Sequence, residues 1–228
     1  MNKQGKGKIE WTDYTWNPIK GECPVGCWYC YARKMYKRFQ WDTEINSRLD
    51  DSDYIQKLQD KKIPDGSKVF VCSTIELFHP LIEKKWRDDI FSIIETNPKI
   101  TFQILTKMPQ YITREMPDNV WLGISITEKR DFGKRLPGLY KAKARVKFIS
   151  FEPLLAKNMD AFRYQGWLGG KVNWIVLGRL TGHGKKQDPS LQMIQNMTAY
   201  ARSENIPIFL KHNLKDIWPG ELIQEWPE

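Results

Sequence analysis

The chain has 228 residues, of which 41% are hydrophobic and 13% aromatic, and a formal net charge of +9. This composition is too apolar and too aromatic for a disordered chain, and the length fits one α/β domain, so we expect a single domain over residues 1–228. The basic N-terminal segment lacks the apolar run of a secretory signal, and no stretch reaches the ~18 apolar residues of a membrane span. We therefore expect a cytoplasmic protein without membrane contact.

The first quarter of the chain is expected to hold a strand, a loop rich in cysteine and one helix. The run IEWTDYTW (residues 9–16) predicts a strand that leads into a loop over residues 21–33. Pro24 and Gly26 favour a tight loop there rather than a helix. A helix is predicted from Ser52 to Lys61, ahead of the next strand.

Six further strands are predicted from short runs of β-branched and aromatic residues. The runs are almost continuously apolar, which is typical of parallel strands that are buried on both faces. They are VFVCST (69–74), TFQILT (101–106), VWLGISI (120–126), VKFISF (146–151), WIVLGRL (174–180) and IPIFLKH (206–212).

Helices are predicted between some of these strands. Apolar residues recur at helical spacing from Ile82 to Ile94, and Asn97 with Pro98 ends that pattern. A second helix is predicted to begin at Asp188 and Pro189, with an apolar face that runs to Ala201. Pro and Gly interrupt the segments 107–119 and 127–145, so some helices there are expected to be short or absent.

The alternation of strands and helices predicts the fold class. Successive β-α units form parallel sheets, and about six to seven strands are available. We therefore predict an α/β protein, a partial or complete (β/α) barrel. In such barrels the functional side chains gather at the carboxyl ends of the strands.

Basic residues are concentrated in two segments. Residues 129–147 carry eight basic side chains against one acidic. A second group, Arg33, Lys34, Lys37 and Arg38, alternates with Tyr31, Tyr36, Phe39 and Trp41. Such clusters attract polyanions, so a nucleic acid or nucleotide is one hypothesis for the substrate. The alternative is that lysine-rich surfaces simply keep the protein soluble.

Three of the four cysteines lie within eight residues, as Cys23-x₃-Cys27-x₂-Cys30. In a reducing compartment this grouping indicates a metal or cluster site rather than disulfides. Three thiolates can bind three irons of a four-iron cluster and leave the fourth open. The alternatives are a zinc site that adds one of His79, His183 or His212, and a coincidence of core cysteines.

The cysteine spacing, with Tyr29 before the last cysteine, resembles the cluster motif of the radical S-adenosylmethionine superfamily. Further segments are similar to one branch of it, the phage-associated three-cysteine-motif family, and they cover most of the chain. These segments are IEWTDYTWNP, CYARKM, ELFHP, FQILTK, VWLGISI, FISFEPLL and WIVLG. The branch usually has a Gly-Gly-Glu-Ser turn after the last of them, whereas this chain has Gly178-Arg179-Leu180-Thr181-Gly182.

The resemblance implies a [4Fe-4S] cluster on Cys23, Cys27 and Cys30 and reductive cleavage of S-adenosylmethionine to a 5′-deoxyadenosyl radical. It implies that Tyr29 contacts the adenine, although ordinary packing is an alternative for this ring. Other cofactor contacts are expected at two strand ends, from Ser73, Thr74, Glu76, Ser125, Thr127 and Glu128. Catalytic candidates at the remaining strand ends are Glu152, Lys107, Arg179 and Lys211. For each strand-end residue the alternative is a solvated charge or a structural ion pair.

Other residues are expected to be structural. Cys72 lies in a predicted strand and fits a small buried hydrophobic residue better than a radical relay or hydrogen donor. Four tryptophans are expected in the core or barrel wall: Trp11, Trp16, Trp121 and Trp174.

Three functional hypotheses follow. The first is a radical enzyme that modifies or repairs a nucleic acid or nucleotide, and the second is a radical enzyme acting on a protein or small molecule. The third is a non-catalytic nucleic-acid-binding protein with structural zinc. Either enzyme would need an electron donor, such as a reductase, a flavodoxin or a ferredoxin, and the phage-type resemblance also leaves room for a separately encoded partner protein.

Overall fold

The computed structural model of the protein describes residues 1–5, 7–49, 63–155, 168 and 170–228. The predicted helix from Ser52 to Lys61 lies outside these residues. Within them there are ten strands: β1 (Asn2–Lys3), β2 (Tyr14–Trp16), β3 (Ile19–Lys20), β4 (Asn46–Ser47), β5 (Lys68–Val71), β6 (Thr101–Thr106), β7 (Val120–Ser125), β8 (Val146–Phe151), β9 (Trp174–Leu177) and β10 (Ile208–Leu210). The α-helices of the same part are α1 (Tyr31–Phe39), α2 (Lys84–Glu95), α3 (Lys129–Lys141) and α4 (Leu191–Ser203). None of these helices is both long and apolar enough to cross a membrane.

Eight strands form one sheet in the order β1-β2-β5-β6-β7-β8-β9-β10. Every neighbouring pair from β2 to β10 is parallel, and only the short β1 pairs in the antiparallel sense. Strand order therefore follows chain order, and all parallel strands end at the same edge. The predicted α/β class and the number of parallel strands are confirmed, and β6 and β8 have the predicted bounds.

One face of the sheet packs against the helices. α2 contributes Ile90, Phe91 and Ile94, and α4 contributes Ile194, Met197 and Ala201, all of them buried. These residues recur at the helical spacing seen in the sequence, so one stripe of each helix covers the sheet. α4 begins later than predicted, because its N-cap is Ser190, whose hydroxyl accepts a hydrogen bond from the Met193 amide.

The other face of the sheet surrounds Trp11. The Trp11 ring lies 4.7 Å from Phe70 of β5 and 6.1 Å from Trp174 of β9, measured between ring centroids. On a flat sheet, four strand spacings would separate β5 from β9 by about 19 Å. The sheet must therefore curl so that distant strands meet one indole. All four tryptophans expected in the core are buried.

The chain segment before β2 crosses the concave face and links the far strands. The Gln103 side chain donates to the Trp11 carbonyl (3.2 Å), and the Glu10 carboxylate accepts a hydrogen bond from the His212 amide just after β10 (2.7 Å). These bonds tie the start of the chain to its last strand. Among the described residues no strand pairing joins β10 to β1 or β2.

The expectation that some helices in residues 107–119 and 127–145 are short or absent holds for the first segment, whereas the second forms a long helix. Residues 107–119 form only a 3₁₀ turn at Pro109–Tyr111, whereas α3 has 13 residues and contains Pro137. A reciprocal capping box between Glu128 and Asp131 stabilises its first turn. Residue i−4 to the proline is Gly133, and a Cβ added there would meet no atom within 4 Å. Pro137 therefore lies inside a continuous helix, next to a turn without a side chain at position i−4.

We expect Gly123→Ala to destabilise the protein, because a Cβ at this position of β7 would lie 2.4 Å from the Phe148 ring. Overpacking of this kind costs about 1–3 kcal/mol. Gly133→Ala is the matched control. It lies in a helix with open space around it, so a small stabilisation of about 0.5–1 kcal/mol is expected. Urea unfolding measures both, and equal stability of the two variants would contradict the packing described.

Candidate functional site

A pocket of about 400 Å³ lies at the edge of the sheet where the parallel strands end. It is lined by the three clustered cysteines and by residues at or just after the ends of the strands β5 to β10. Most of the residues singled out in the sequence share this lining: Cys23, Cys27, Cys30, Tyr29, Ser73, Thr74, Glu76, Lys107, Ser125, Glu152, Arg179 and Lys211. Ile9, Trp11, Phe70 and Leu105 add an apolar part that continues from the core around Trp11.

The cysteine loop is held in place by α1 and by the separate two-stranded antiparallel sheet of β3 and β4, which bracket the loop and α1 in the chain. The buried Tyr36 hydroxyl of α1 accepts a hydrogen bond from the Gly21 amide at 2.8 Å. Gly21 has a φ of +109°, and an added Cβ would lie 2.6 Å from the carbonyl oxygen of Glu44, which lies just before β4. Only glycine fits there. Arg33 donates to the Cys23 carbonyl and pairs with Glu22, which fixes the loop further.

Cys23, Cys27 and Cys30 are free thiols and half-buried. The Cys30 amide donates to the Cys27 carbonyl (3.1 Å), so the last two cysteines share one turn. Burial raises the pKa of the Cys23 thiol, with the nearby Glu76 and Cys27 adding to the effect. A bound cation would oppose this, since positive charge stabilises thiolates.

Within the described residues, no three His, Cys, Asp or Glu side chains are grouped as ligands of a single metal ion. In a cubane cluster each cysteine binds a separate iron, so its thiolates are spread over the cluster. His79, His183 and His212 are not lining residues of the pocket. His79 instead accepts the Leu81 amide, and His183 contacts Lys34 Nζ at 2.7 Å.

Tyr29 and Lys107 lie together on one side of the pocket. The Lys107 ammonium is 6.0 Å from the centroid of the Tyr29 ring and donates to the Ser125 hydroxyl (3.1 Å). Lys107 makes no ion pair with any residue that the structure describes. Burial raises the pKa of the Tyr29 hydroxyl, so this hydroxyl stays protonated at neutral pH. Its oxygen lies 3.5 Å from Thr127 Oγ1. This side of the pocket presents a cation, a hydroxyl and a neutral ring.

Glu76 is buried and accepts hydrogen bonds from within the protein. Its carboxylate accepts the Thr106 hydroxyl (2.5 Å), the Lys107 amide (2.7 Å) and the Phe78 amide (3.2 Å). The bonds to Thr106 and Lys107 join the end of β5 to the end of β6. A carboxylate offers about four acceptor positions, so one is left for a group in the pocket.

Glu152 and Lys211 form an ion pair on another side of the pocket, with 2.5 Å between Oε1 and Nζ. Their side chains are 19% and 16% exposed. Glu152 also accepts the Trp11 indole N–H and the Ser150 hydroxyl, each at 3.1 Å. The carboxylate that follows β8 is therefore held by three side chains and oriented before any ligand binds.

Arg179 is engaged in a structural network, so its expected catalytic role has a competing structural one. Its guanidinium pairs with Asp188 (3.0 Å) and Asp216 (2.8 Å). Asn213, a lining residue that the sequence did not single out, exchanges two hydrogen bonds with the Arg179 backbone. The two carboxylates neutralise the Arg179 guanidinium and hold the turn Gly178–Gly182 in place. This is the turn that has Gly-Arg-Leu-Thr-Gly instead of the Gly-Gly-Glu-Ser pattern.

Thr127 and Glu128 lie outside the pocket lining, unlike the other cofactor contacts expected from the sequence. Thr127 is buried against Asp131, whose carboxylate accepts both its amide (2.8 Å) and its hydroxyl (2.9 Å). Glu128 caps α3 and forms an ion pair with Arg130. Both residues thus shape the start of a helix behind the pocket wall.

The pocket is completed on the β5 side by four residues: Tyr31, Cys72, Ser73 and Thr74. The Ser73 hydroxyl donates to Asn17 Oδ1 (3.1 Å), and its carbonyl accepts the Tyr31 hydroxyl (3.0 Å). Tyr31 was not predicted as a site residue, although its place after Cys30 is the signal that could have found it. Cys72 is buried as expected, but it follows β5 rather than lying within it, at a φ of +55°.

Comparisons with known proteins give one match. A family model described as "Protein of unknown function (DUF5131)" matches residues 6–216. No curated protein and no solved structure matches the chain.

We expect Glu152→Gln to lower the free energy of unfolding by about 1–3 kcal/mol, because it leaves the mostly buried Lys211 ammonium without its counter-ion. Adding Lys211→Met should recover part of this loss, since the unpaired charge is then removed. The matched control is Asp65→Asn, which breaks an exposed pair with Lys99 and should change stability by less than about 0.5 kcal/mol. Chemical denaturation measures all three. Equal effects of the Glu152 and Asp65 substitutions would refute the account of this pair.

Proposed function

The chain belongs to the DUF5131 family, whose description assigns no activity, and we propose from the pocket itself that it is a radical S-adenosylmethionine enzyme with a [4Fe-4S] cluster on Cys23, Cys27 and Cys30. One observation carries this proposal. A single pocket at the carboxyl edge of a parallel sheet gathers the three free cysteines together with polar residues from six successive strand ends. Catalytic side chains of barrel enzymes gather at that edge.

The donor set fits an iron-sulfur cluster. All three side chains are thiols, none is in a disulfide, and they come from one loop at the pocket. Soft sulfur ligands favour such clusters, and three of them leave one iron open for a second ligand. When bound here, the cluster and S-adenosylmethionine would supply a carbon-centred radical by reductive cleavage. The surrounding apolar wall of Trp11, Phe70 and Leu105 would limit the access of water.

Residues near the cysteine loop suit the recognition of S-adenosylmethionine. The Lys107 ammonium, which has no carboxylate partner among the described residues, could pair with the carboxylate of the methionine moiety. The fourth acceptor position of Glu76 is available to its ammonium group. The Tyr29 ring is available to contact the adenine, and its hydroxyl is held beside Thr127. The Ser125 hydroxyl, which already accepts a hydrogen bond from the Lys107 ammonium, also lines this part of the pocket.

The Glu152–Lys211 pair is proposed as the substrate side of the pocket. It offers a fixed carboxylate and a cation that can hydrogen-bond a polar substrate or take and return a proton. Arg179 is assigned a positioning role instead, since Asp188 and Asp216 already neutralise it.

The finer fold and setting belong to the same proposal. The curl around Trp11 supports a partial (β/α) barrel of the type that the sequence resemblance implies. Free cysteines suit a reducing cytoplasm, and an electron donor of the reductase, flavodoxin or ferredoxin class is required for the cleavage. The net charge of +9 supports a nucleic acid or nucleotide as substrate.

We expect anaerobic reconstitution to yield coloured protein with about four iron and four sulfide ions per chain. Alanine at Cys23, Cys27 or Cys30 should reduce the bound iron to background, since each thiolate holds one iron. Cys72→Ala is the control, because Cys72 borders the pocket but lies outside the cysteine loop and is buried, whereas the three loop cysteines are half-buried; it should leave the iron content unchanged. Iron and acid-labile sulfide assays check the outcome. A colourless protein that binds one zinc ion through the same cysteines would refute the proposal.

A further inference from the structure

Exposed aromatic side chains are concentrated beside the cysteine loop. Among the described residues seven large hydrophobic side chains are exposed, and four of them lie between residues 28 and 41. They are Trp28, Tyr31, Phe39 and Trp41, with exposed fractions of 58, 51, 51 and 45%. Burying such a ring is worth about 1.5–3 kcal/mol. A group left in solvent therefore marks a surface that meets a partner.

Two of these rings form a stack. Phe39 and Trp41 lie 5.4 Å apart at an interplanar angle of 24°, and the Arg38 guanidinium lies 5.3 Å from the Phe39 centroid. The edge of Trp41 meets Tyr36, which is buried and bonded to Gly21. The stack is thus anchored to the same contact that positions the cysteine loop.

Basic side chains lie next to the stack. Residues 23–41 contain four basic side chains and no acidic one, and the exposed Asp42 and Glu44 follow Trp41. Arg33 is paired with Glu22, and Lys34 contacts His183. Lys37 and Arg38 make no ion pair with any residue in the described ranges, and both are exposed. The stack therefore lies beside two cations that are available to an anionic partner.

The stack is close to the pocket. Tyr31 and Lys34 line the pocket and belong to the same helix as Phe39. A helix rises 1.5 Å per residue, so Phe39 lies about 12 Å along the axis from Tyr31. Stacked nucleotides of one strand are about 3.4 Å apart, and this distance corresponds to a few nucleotides.

We propose that α1, with Lys37, Arg38 and the Phe39–Trp41 stack, binds a single-stranded nucleic acid and presents one of its nucleotides to the pocket. This inference rests on the proposed function and names its substrate class. Aromatic rings bind bases through their faces, which only unpaired strands offer. A base inside a duplex would also have to leave the helix before it could reach an enclosed site.

A protein partner is the rival occupant of this surface. Aromatic residues and arginine are enriched at protein interfaces, but lysine is depleted there. The exposed Lys37 and Arg38 next to the stack favour a polyanion.

The test is fluorescence anisotropy with the full chain before reconstitution and two labelled probes, a 20-nucleotide oligothymidylate and a mixed-sequence duplex of the same length. We expect tighter binding of the single strand. Phe39→Ala with Trp41→Ala should weaken it at least about ten-fold, whereas Tyr111→Ala, which removes an exposed ring elsewhere, should not. The slope of log K against log salt is negative for such binding. Lys37→Ala with Arg38→Ala should make it shallower by about 1.4, since each lost phosphate contact removes about 0.7.

Three results would overturn the inference: no oligonucleotide binding, equal affinity for the duplex, or binding that is lost only when Lys134 and Lys141 of α3 are replaced by alanine. Circular dichroism of the variants excludes unfolding as the cause. The cluster is not needed for this measurement. A chain that binds single strands through the stack but assembles no cluster would uphold the surface and refute the enzyme, and the reverse result would refute the surface alone.

Discussion

The insertion of Trp11 between distant strands is the constraint on which the rest of the structure depends. Its ring contacts Phe70 and Trp174, which belong to strands four positions apart in the sheet, and its indole N–H donates to Glu152. A flat sheet would leave these groups on separate parts of a plane. Because the sheet curls around this side chain, the ends of its strands face one another and enclose a pocket.

The pocket is built from long-range contacts that join the ends of different strands. Glu76 ties the end of β5 to Thr106 and Lys107 at the end of β6, and Glu152 joins β8 to Lys211 after β10. The carboxylates are thus held by several donors, which gives them fixed orientations without a bound ligand. The cysteine loop is attached to this frame through Tyr36, and the aromatic stack beside it depends on the same tyrosine. The cysteine loop and the proposed substrate surface are therefore both anchored by Tyr36.

Much of the fold could be predicted because parallel strands buried on both faces are continuous apolar runs. β6 and β8 were predicted with the correct bounds, and the helical spacing before β6 and β10 gave α2 and α4. α3 was not predicted as a long helix, because Pro137 lies inside it. α1 was not predicted, because only two of its residues, Ala32 and Tyr36, are buried and they give no apolar periodicity. The site residues at strand ends followed from the strands themselves. The partners that neutralise Arg179 did not, since Asp188 and Asp216 reach it through loops that have no periodic pattern.

The electron paramagnetic resonance spectrum of the reduced protein, recorded with and without S-adenosylmethionine, tests the account most directly. Three cysteine ligands leave one iron open, so the account predicts a cluster signal that changes when S-adenosylmethionine binds to that iron. The same spectrum with and without methionine as a control ligand separates a specific effect from a general one. A cluster signal that is unaffected by S-adenosylmethionine, or the lack of any cluster signal, would contradict the account.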